Sequence, residues 1–286
     1  MHNGKSADPP NFDCREFPMT DRNFAQLKSY AYDNTGINLS DHKKEMIYSR
    51  LARRIRTLGL ENFDQYCALI ESKKSPEHSD FINAITTNLT AFFREPHHFE
   101  FLANTAIAEV KARHTKDRRI RIWSAGCSTG EEPYSIAMTI NSELGAAPWD
   151  TKILATDLDS EVLATATHGV YHGDRIENLS VENQRRYFLK ERDGHGNVKV
   201  KAGLQRLISF KRLNLVEDWP MRGPFDIIFC RNVVIYFDKE IQRNLFERFA
   251  DILVDGGYLF IGHSESLYRI TDRFQSLGQT IYQKLA

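Results

Sequence analysis

The feature that most constrains the fold is a regular alternation of short apolar runs with helical segments after residue 118. Apolar runs predict strands over residues 120–125, 152–156, 225–230 and 257–261. Amphipathic patterns predict helices between them, over residues 132–144, 160–167 and 239–253. This alternation indicates an α/β fold with a parallel sheet, and residues 279–285 are predicted to add an antiparallel edge strand.

The first third of the chain instead has a helical pattern throughout. Apolar residues recur at helical spacing in two stripes, Phe24, Leu27 and Ala31, then Ile47, Leu51, Ile55 and Leu58. Ser40 or Asp41 is the expected N-cap and Gly59 the expected stop of the second helix. A further helix is predicted over residues 77–89, and Pro96 suits the first turn of the helix after it.

Two segments do not fit either pattern. Residues 1–19 mix proline, glycine and polar residues without periodicity, so a flexible leader is expected there. Residues 169–215 contain a turn-rich stretch at 192–197 followed by extended runs at 198–201 and 207–210. This stretch predicts an inserted β-hairpin or three-stranded flap.

Composition excludes several classes of protein. Lys and Arg number 38 and so do Asp and Glu, which disfavours a protein that coats nucleic acid or an anionic membrane. The first twenty residues carry five charged side chains rather than an apolar signal region, so we expect a cytoplasmic protein. The four cysteines and the histidines have no ligand spacing, so reduced thiols and no metal are expected.

The first predicted strand ends in a glycine-containing loop that opens a helix. Gly126 and Gly130 would let the backbone turn tightly and approach a nucleotide-like ligand, while the sequence lacks both GxGxxG and a Walker motif. Glu131 and Glu132 would repel a phosphate at this helix N-terminus, which favours a cationic or phosphate-free ligand. The alternative is a plain tight turn whose glutamates cap the helix.

Polar residues follow two other predicted strands. Asp157 is placed to bind a ribose diol at the end of the second strand, whereas Asp159 is read as a helix N-cap. Arg231 and Asn232 follow the strand at 225–230. Because parallel strands end at the same edge of a sheet, these residues are expected to meet Gly126 in one crevice.

Four motifs together resemble the CheR family of chemotaxis receptor glutamate methyltransferases. They are NLTAFFR at 88–94, STGEEPYS at 128–135, FCRNVVIYF at 229–237 and GHSE at 262–265. The resemblance implies a Rossmann-like S-adenosylmethionine-dependent methyltransferase domain with an inserted small β-subdomain, preceded by a small all-α domain. The implied boundaries are 20–90 for the helical domain, 91–118 for a linker and connecting helix, and 119–286 for the methyltransferase domain, with the insertion at about 169–215.

The resemblance also implies site residues and a reaction. The family's S-adenosylmethionine pocket corresponds here to Asn88, Thr90, Arg94, Glu131, Asp157, Asn214, Leu215, Arg231 and Asn232. Arg94 and Tyr236 lie near the family's reacting centre, where we expect them to orient a receptor glutamate; otherwise they are an ordinary ion-pair residue and a core aromatic. The product would be a γ-glutamyl methyl ester, formed without a general base because glutamate is already ionised at neutral pH.

A basic helix is the expected receptor contact. Residues 41–60 carry six Lys or Arg against two Asp or Glu, and Arg50, Arg53, Arg54 and Arg56 are the candidates for binding an acidic receptor helix. The alternative is a solvated face. By family analogy the insertion would grip a receptor tail peptide, although the stretch at 191–197 departs from the expected glycine pattern. A non-catalytic cofactor-binding scaffold and a methyltransferase for small molecules or nucleic acid are the alternative functions.

Overall fold

The computed structural model describes residues 15–72, 75–145, 148–191 and 194–286. The chain divides into two compact units, one formed by residues 15–33 and 39–85 and the other by residues 34–38 and 86–286. Residues 1–14 of the leader predicted for residues 1–19 lie outside the described residues. None of the helices in the described ranges is long and apolar enough to cross a membrane.

The first unit is helical, as the apolar spacing predicts. Its helices are α1 (Asp21–Thr35), α2 (Lys44–Leu58), α3 (Phe63–Glu71) and α4 (Glu77–Ile85). The predicted core positions Phe24, Leu27 and Ala31 are buried. Gly59 ends α2 in the left-handed conformation, with φ of 67°, as predicted.

Three local predictions in the helical region differ from the structure. Ser40 makes no side-chain cap hydrogen bond, and a 3₁₀ turn over Asp41–Lys43 precedes α2. Leu58 is exposed because it is the last residue of its helix, where the apolar face ends. The helix predicted to reach residue 89 ends at Ile85, since the side chains of Thr86 and Asn88 donate to Asp159.

The second unit is built on a seven-stranded sheet. Helices α5 (Pro96–Phe101) and α6 (Ile107–Arg113), joined by a π-helical turn over Leu102–Ala106, lead into it, and Pro96 occupies the first turn as predicted. Its parallel strands are β1 (Arg119–Ala125), β2 (Asp150–Asp157), β6 (Ile208–Arg212), β7 (Phe225–Cys230) and β8 (Leu253–Ile261). The principal helices between them are α7 (Glu131–Leu144), α8 (Ser160–His168) and α11 (Lys239–Ile252).

The order of strands in this sheet is β6-β2-β1-β7-β8-β10-β9, where β9 (Phe274–Gly278) and β10 (Ile281–Lys284) come from the end of the chain. Strand β7 is buried along its whole length, and Ile227 and Phe229 join one apolar cluster while Ile228 and Cys230 join another. Helices and loops therefore cover both faces of the sheet, and the ligand-binding edge is the one where the parallel strands end.

The end of the chain forms a hairpin rather than a single edge strand. β9 (Phe274–Gly278) and β10 (Ile281–Lys284) are antiparallel, and β10 also pairs with β8. The antiparallel direction predicted for residues 279–285 is confirmed, but their position at the edge is wrong because β9 covers β10. Gln279 and Thr280 connect the two strands with positive φ angles of 49° and 60°.

The insertion is a three-stranded antiparallel sheet in the order β3-β5-β4. Its strands are β3 (Val170–His172), β4 (Phe188–Lys190) and β5 (Asn197–Val200), with helix α9 (Val181–Tyr187) before β4 and α10 (Ala202–Gln205) after β5. The extended run at 207–210 does not belong to this flap, because Ile208 pairs in parallel register with Ile153 of β2. Residues 192 and 193 of the predicted turn lie outside the described residues.

Candidate active site

The loop between β1 and α7 requires glycine at both predicted positions. Gly126 and Gly130 have φ angles of +93° and +99°, which other residues adopt only with strain. A Cβ atom on Gly126 would overlap with Cγ2 of Val233. The amide N–H of Gly126 donates to the carbonyl of Thr156 at 2.8 Å, so the loop is held against the end of β2.

Asp157 joins this loop to the next one. Its carboxylate accepts hydrogen bonds from the backbone N–H groups of Ser128 at 2.7 Å and Asp159 at 3.0 Å. Burial raises the pKa of Asp157 to about 6, and the nearby Asp159 adds to this shift while the two hydrogen bonds oppose it. The predicted position of Asp157 at the carboxyl end of β2 is therefore confirmed.

Asp159 is the N-cap of α8, as the sequence predicts. One carboxylate oxygen accepts from the N–H groups of Glu161 at 2.9 Å and Val162 at 3.2 Å. The other oxygen accepts from Thr86 at 2.7 Å and from the side-chain amide of Asn88 at 2.8 Å. The cap thus holds the start of the 88–94 motif beside Asp157, while the Asn88 amide is occupied by Asp159.

Glu131 is completely buried at the N-terminus of α7. Its carboxylate accepts from the Thr129 hydroxyl at 2.6 Å and from the guanidinium of Arg175. Arg175 comes from the inserted segment and also donates to the carbonyl of Thr90 at 2.9 Å. Sequence reasoning missed Arg175, because no pattern links a turn residue of the insertion to a helix start 44 residues earlier.

The side chain of Arg231, which follows β7, occupies a buried ion cluster. Its guanidinium lies 3.1 Å from a Glu132 oxygen and 3.3 Å from a Glu95 oxygen, and it donates to the carbonyl of Arg94. Burial raises the pKa of Glu132, whereas the charge of Arg231 and the hydrogen bond from Ser124 lower it. The guanidinium therefore holds in place the carboxylates of Glu132 and Glu95 and the backbone carbonyl of Arg94.

The loop after β7 is organised by Glu265. Its buried carboxylate accepts hydrogen bonds from the N–H groups of Asn232 at 3.0 Å, Ile235 at 3.3 Å and Gly262 at 2.5 Å. Asn232 has a φ of +60°, so this residue turns in the left-handed region at the strand tip. The 262–265 motif thus has a physical role that the sequence alone did not indicate.

Arg94 of the 88–94 motif acts electrostatically on Tyr236 of the loop after β7. Nη1 of Arg94 donates to the carbonyl of Leu89 at 2.7 Å. Burial raises the pKa of Tyr236, whereas a hydrogen bond with Thr87 and the charge of Arg94 lower it. The Arg94 side chain is therefore held by its own motif, and its positive charge reaches the Tyr236 phenol.

Asn214 and Leu215 follow β6 and have partners within the protein. The Asn214 side-chain amide donates to the carbonyl of Asn34 at 2.8 Å and to Glu217 at 3.0 Å. Leu215 is buried in an apolar cluster. The N–H of Leu213 donates to the carbonyl of Asp157 at 3.0 Å, which brings this segment to the same strand end.

Three side chains of metal-ligating type lie close together near Arg231. Oxygen and nitrogen atoms of Glu95, His97 and His98 lie within 4.8 Å of one another in the described residues. Burial and the charge of Arg231 lower the pKa of His98 to about 4, and Nε2 of His98 bonds to the carbonyl of Gln279 at 3.0 Å. The guanidinium already neutralises Glu95 here and would repel a metal cation.

The four candidate receptor arginines have different environments in the first unit. Arg54 forms two hydrogen bonds with the buried Glu77, at 2.9 and 2.7 Å, so it is an internal ion-pair residue rather than a free contact. Arg50 donates to the Ala84 carbonyl at 3.0 Å, and Arg56 pairs with Glu16. Arg53 is exposed, and no acidic partner for it exists among the residues that the structure describes.

The donor set at the strand ends fits a cationic ligand with a ribose. Asp157 offers carboxylate oxygens to hydroxyls, and the glycine loop leaves no room for a side chain, whereas the charge of the buried Glu131 is balanced by Arg175. The strand order β6-β2-β1-β7-β8 is the Rossmann arrangement. The antiparallel strand β10 lies between β8 and the edge strand β9. The fold and site define an S-adenosylmethionine-dependent methyltransferase.

Comparison with known proteins identifies the family. Residues 88–283 match the family model described as CheR methyltransferase, SAM binding domain, and residues 22–86 match CheR methyltransferase, all-alpha domain. The chain therefore belongs to the CheR methyltransferase family, as the motifs predict.

Named relatives agree over most of the chain. The chemotaxis protein methyltransferase of Escherichia coli (strain K12) is 45% identical over 267 residues, covering 92% of this chain and 91% of that protein. Chemotaxis protein methyltransferase 2 of Pseudomonas aeruginosa is 43% identical over 279 residues, covering 97% and 98%. The chemotaxis protein methyltransferase of Borreliella burgdorferi is 41% identical over 255 residues, covering 87% and 89%.

Proposed function

We propose that this protein transfers the methyl group of S-adenosylmethionine to glutamate side chains of chemoreceptors, forming γ-glutamyl methyl esters for sensory adaptation. The observation that carries the proposal is the match of residues 88–283 to the CheR methyltransferase domain, in which Asp157 offers a buried carboxylate at the end of β2. We assign Arg94 and Tyr236 to hold one oxygen of the acceptor carboxylate, because a guanidinium and a phenol hydroxyl both donate hydrogen bonds to carboxylates. The named relatives, all chemotaxis protein methyltransferases, support the same acceptor.

The acceptor chemistry needs positioning rather than proton transfer. A glutamate with a pKa of about 4.3 is already an anion at neutral pH. S-adenosylmethionine supplies an electrophilic methyl group when it is bound. Arg94 and Tyr236 hold the non-attacking oxygen of the acceptor, which leaves the other oxygen free to attack. Because the reacting charges cancel, exclusion of water by the surrounding residues accelerates the step.

The cofactor contacts divide into direct and positioning residues. Asp157 accepts ribose hydroxyls, and Asn88, Thr90, Glu131, Asn214, Leu215 and Asn232 line the pocket through side-chain or backbone groups. Arg231 acts as a positioning residue, because its guanidinium is bound to Glu132, Glu95 and the carbonyl of Arg94. Arg175 has a similar supporting role, since it neutralises the buried Glu131 and holds Thr90.

The receptor contacts are assigned from exposure. Arg53 is the strongest candidate for an acidic helical methylation region in the receptor's cytoplasmic part, with Arg56 and Arg50 next to it on α2. The basic charge of residues 41–60 supports this assignment. Strand β4 lies at an edge of the three-stranded sheet, where a receptor tail peptide would add as a further strand. The expected place of action is the cytoplasm.

The test of the acceptor assignment is Arg94→Ala, compared with Tyr236→Phe. Loss of the positioning guanidinium should lower kcat for receptor methylation about 100-fold. S-adenosylmethionine affinity, measured by calorimetry, shows whether Arg94 also binds the cofactor. Unchanged turnover together with unchanged cofactor affinity would show that Arg94 has neither role.

A further inference from the structure

The 88–94 motif ends in a tight turn that places Phe93 in an unusual backbone conformation. The N–H of Arg94 donates to the carbonyl of Ala91 at 3.3 Å, which closes a β-turn over residues 91–94. Phe93, the third residue of this turn, has a φ of +53°. Positive φ at the third position is typical of a type II turn and favours glycine, whereas a type I turn is compatible with most residues. The phenylalanine is therefore held in the left-handed conformation by its surroundings.

Two side chains hold the peptide group between Phe92 and Phe93. The Phe93 N–H donates to the hydroxyl oxygen of Ser135 at 2.9 Å, and the side-chain amide of Asn178 donates to the Phe92 carbonyl at 3.2 Å. Because the C=O and N–H of a trans peptide point in opposite directions, the two bonds hold this group from opposite sides. Type I and type II turns differ by a rotation of this same central peptide. Both bonds would therefore break if the turn changed to type I.

The two side chains come from separate parts of the second unit. Ser135 is buried on α7, and its hydroxyl donates its own hydrogen to the carbonyl of Glu131 at 2.7 Å, which leaves oxygen lone pairs to accept from Phe93. Asn178 is exposed in the insertion, between β3 and α9. The turn before Arg94 is thus held both by the helix that follows the glycine loop and by the insertion.

We propose that Ser135 and Asn178 are positioning residues for methyl transfer, because they fix the turn that carries Arg94. This inference rests on the proposed function, in which Arg94 holds the acceptor carboxylate. Nη1 of Arg94 donates to the carbonyl of Leu89, which lies before the turn, so the position of the guanidinium depends on the conformation of the turn. A displacement of about 1 Å in an orienting group lowers a reaction rate strongly. The insertion thus contributes to the chemical step through Asn178, separately from the proposed binding of a receptor tail.

The role is tested with Ser135→Ala and Asn178→Ala, assayed at saturating S-adenosylmethionine. Each should lower kcat for receptor methylation about 5-fold to 10-fold and leave the receptor KM within about twofold, because orientation is lost rather than binding. Thr139→Val is the matched control on α7, since its buried hydroxyl donates to the carbonyl of Ser135 at 2.9 Å, within the helix. Glu177→Ala is the matched control in the insertion, because Glu177 is the exposed neighbour of Asn178. Both controls should keep the wild-type kcat.

Combination with Arg94→Ala distinguishes positioning from a general loss of structure. Because Ser135 is proposed to act through Arg94, Ser135→Ala should have little further effect on kcat in the Arg94→Ala background. A general structural loss would lower kcat by the same factor in both backgrounds, and that result would overturn the inference. Asn178 is exposed, so Asn178→Ala keeps the test decisive if Ser135→Ala fails to fold.

Two outcomes separate this inference from the function on which it rests. If wild-type protein places no alkali-labile methyl group on chemoreceptors, the proposed function itself fails. If the wild type is active and both Ser135→Ala and Asn178→Ala match their controls in kcat, the positioning role is wrong and the function stands.

Discussion

Arg53 and Arg54 are neighbours on α2 with opposite expected roles. Arg54 donates to Glu77 at 2.9 and 2.7 Å and also pairs with Asp80, whereas Arg53 is exposed. Glu77 is buried and accepts a further hydrogen bond from Tyr66 at 3.0 Å. Replacing Arg54 by methionine leaves the carboxylate of Glu77 without its cation in the interior of the helical unit.

The expected cost follows from this burial. Removing one partner of a buried ion pair costs about 3–5 kcal/mol. The Arg54 side chain is 27% exposed, so water reaches part of the site and we expect a loss of about 2–3 kcal/mol. With a urea m-value of about 1–3 kcal/mol per molar, the unfolding midpoint of this unit should fall by about 1 M. Arg53→Met should change stability by less than about 0.5 kcal/mol.

Hydrogen exchange read out by mass spectrometry separates the helical unit from the rest of the chain. Arg54→Met should lower protection of α2 and α4, and the Arg54→Met/Glu77→Gln double variant should recover part of it because the unpaired charge is gone. Arg53→Met should keep protection and raise KM for the receptor. The reasoning would be refuted by an Arg54→Met protein as protected as the wild type.

Further predictions concern the cofactor site. Asp157 must be ionised to accept hydroxyls, so S-adenosylmethionine affinity should be full above about pH 6 and fall about tenfold per pH unit below it, and calorimetry with Asp157→Asn should show weaker binding without this inflection. Gly126→Ala should cost about 2–4 kcal/mol in thermal unfolding from its positive φ and its overlap with Val233, and adding Val233→Ala should recover only the overlap; full recovery would rule out backbone strain. Glu265→Ala frees the N–H groups of Asn232, Ile235 and Gly262 in the loops after β7 and β8, so kcat should fall about tenfold or more, and unchanged kinetics would exclude this bracing role.

Local signals in the sequence predicted much of the fold. A continuous apolar run predicts β7, and a period-3.6 apolar pattern predicts α8, both nearly to the residue. The run describes a strand buried on both faces, and the period describes a helix that buries one face. The roles of Gly59 as a C-cap and Asp159 as an N-cap are also predictable from the sequence. The end of a helix favours a residue with positive φ, and its start favours a side chain that accepts hydrogen bonds from free N–H groups. The position of Asp157 at the ligand-binding edge is predictable because parallel strands end at the same edge of a sheet.

Pairings between distant segments were not predictable from local pattern. Strand β6 has the alternation of a flap strand, and only its register with β2 places it in the main sheet. Arg231 follows a buried strand like a ligand residue, yet its partner Glu132 lies 99 residues earlier in the chain. Arg175 gives no signal at all, because its contact with Glu131 depends on how the insertion folds back.

The most direct test of the account is transfer of isotope-labelled methyl from S-adenosylmethionine to membranes that contain chemoreceptors, followed by mild alkali. We predict label on a receptor-sized band that alkali releases as methanol, since a γ-glutamyl methyl ester hydrolyses under those conditions. Wild-type protein that binds the cofactor but transfers no alkali-labile label to any receptor would contradict the account and favour a non-catalytic scaffold or another acceptor.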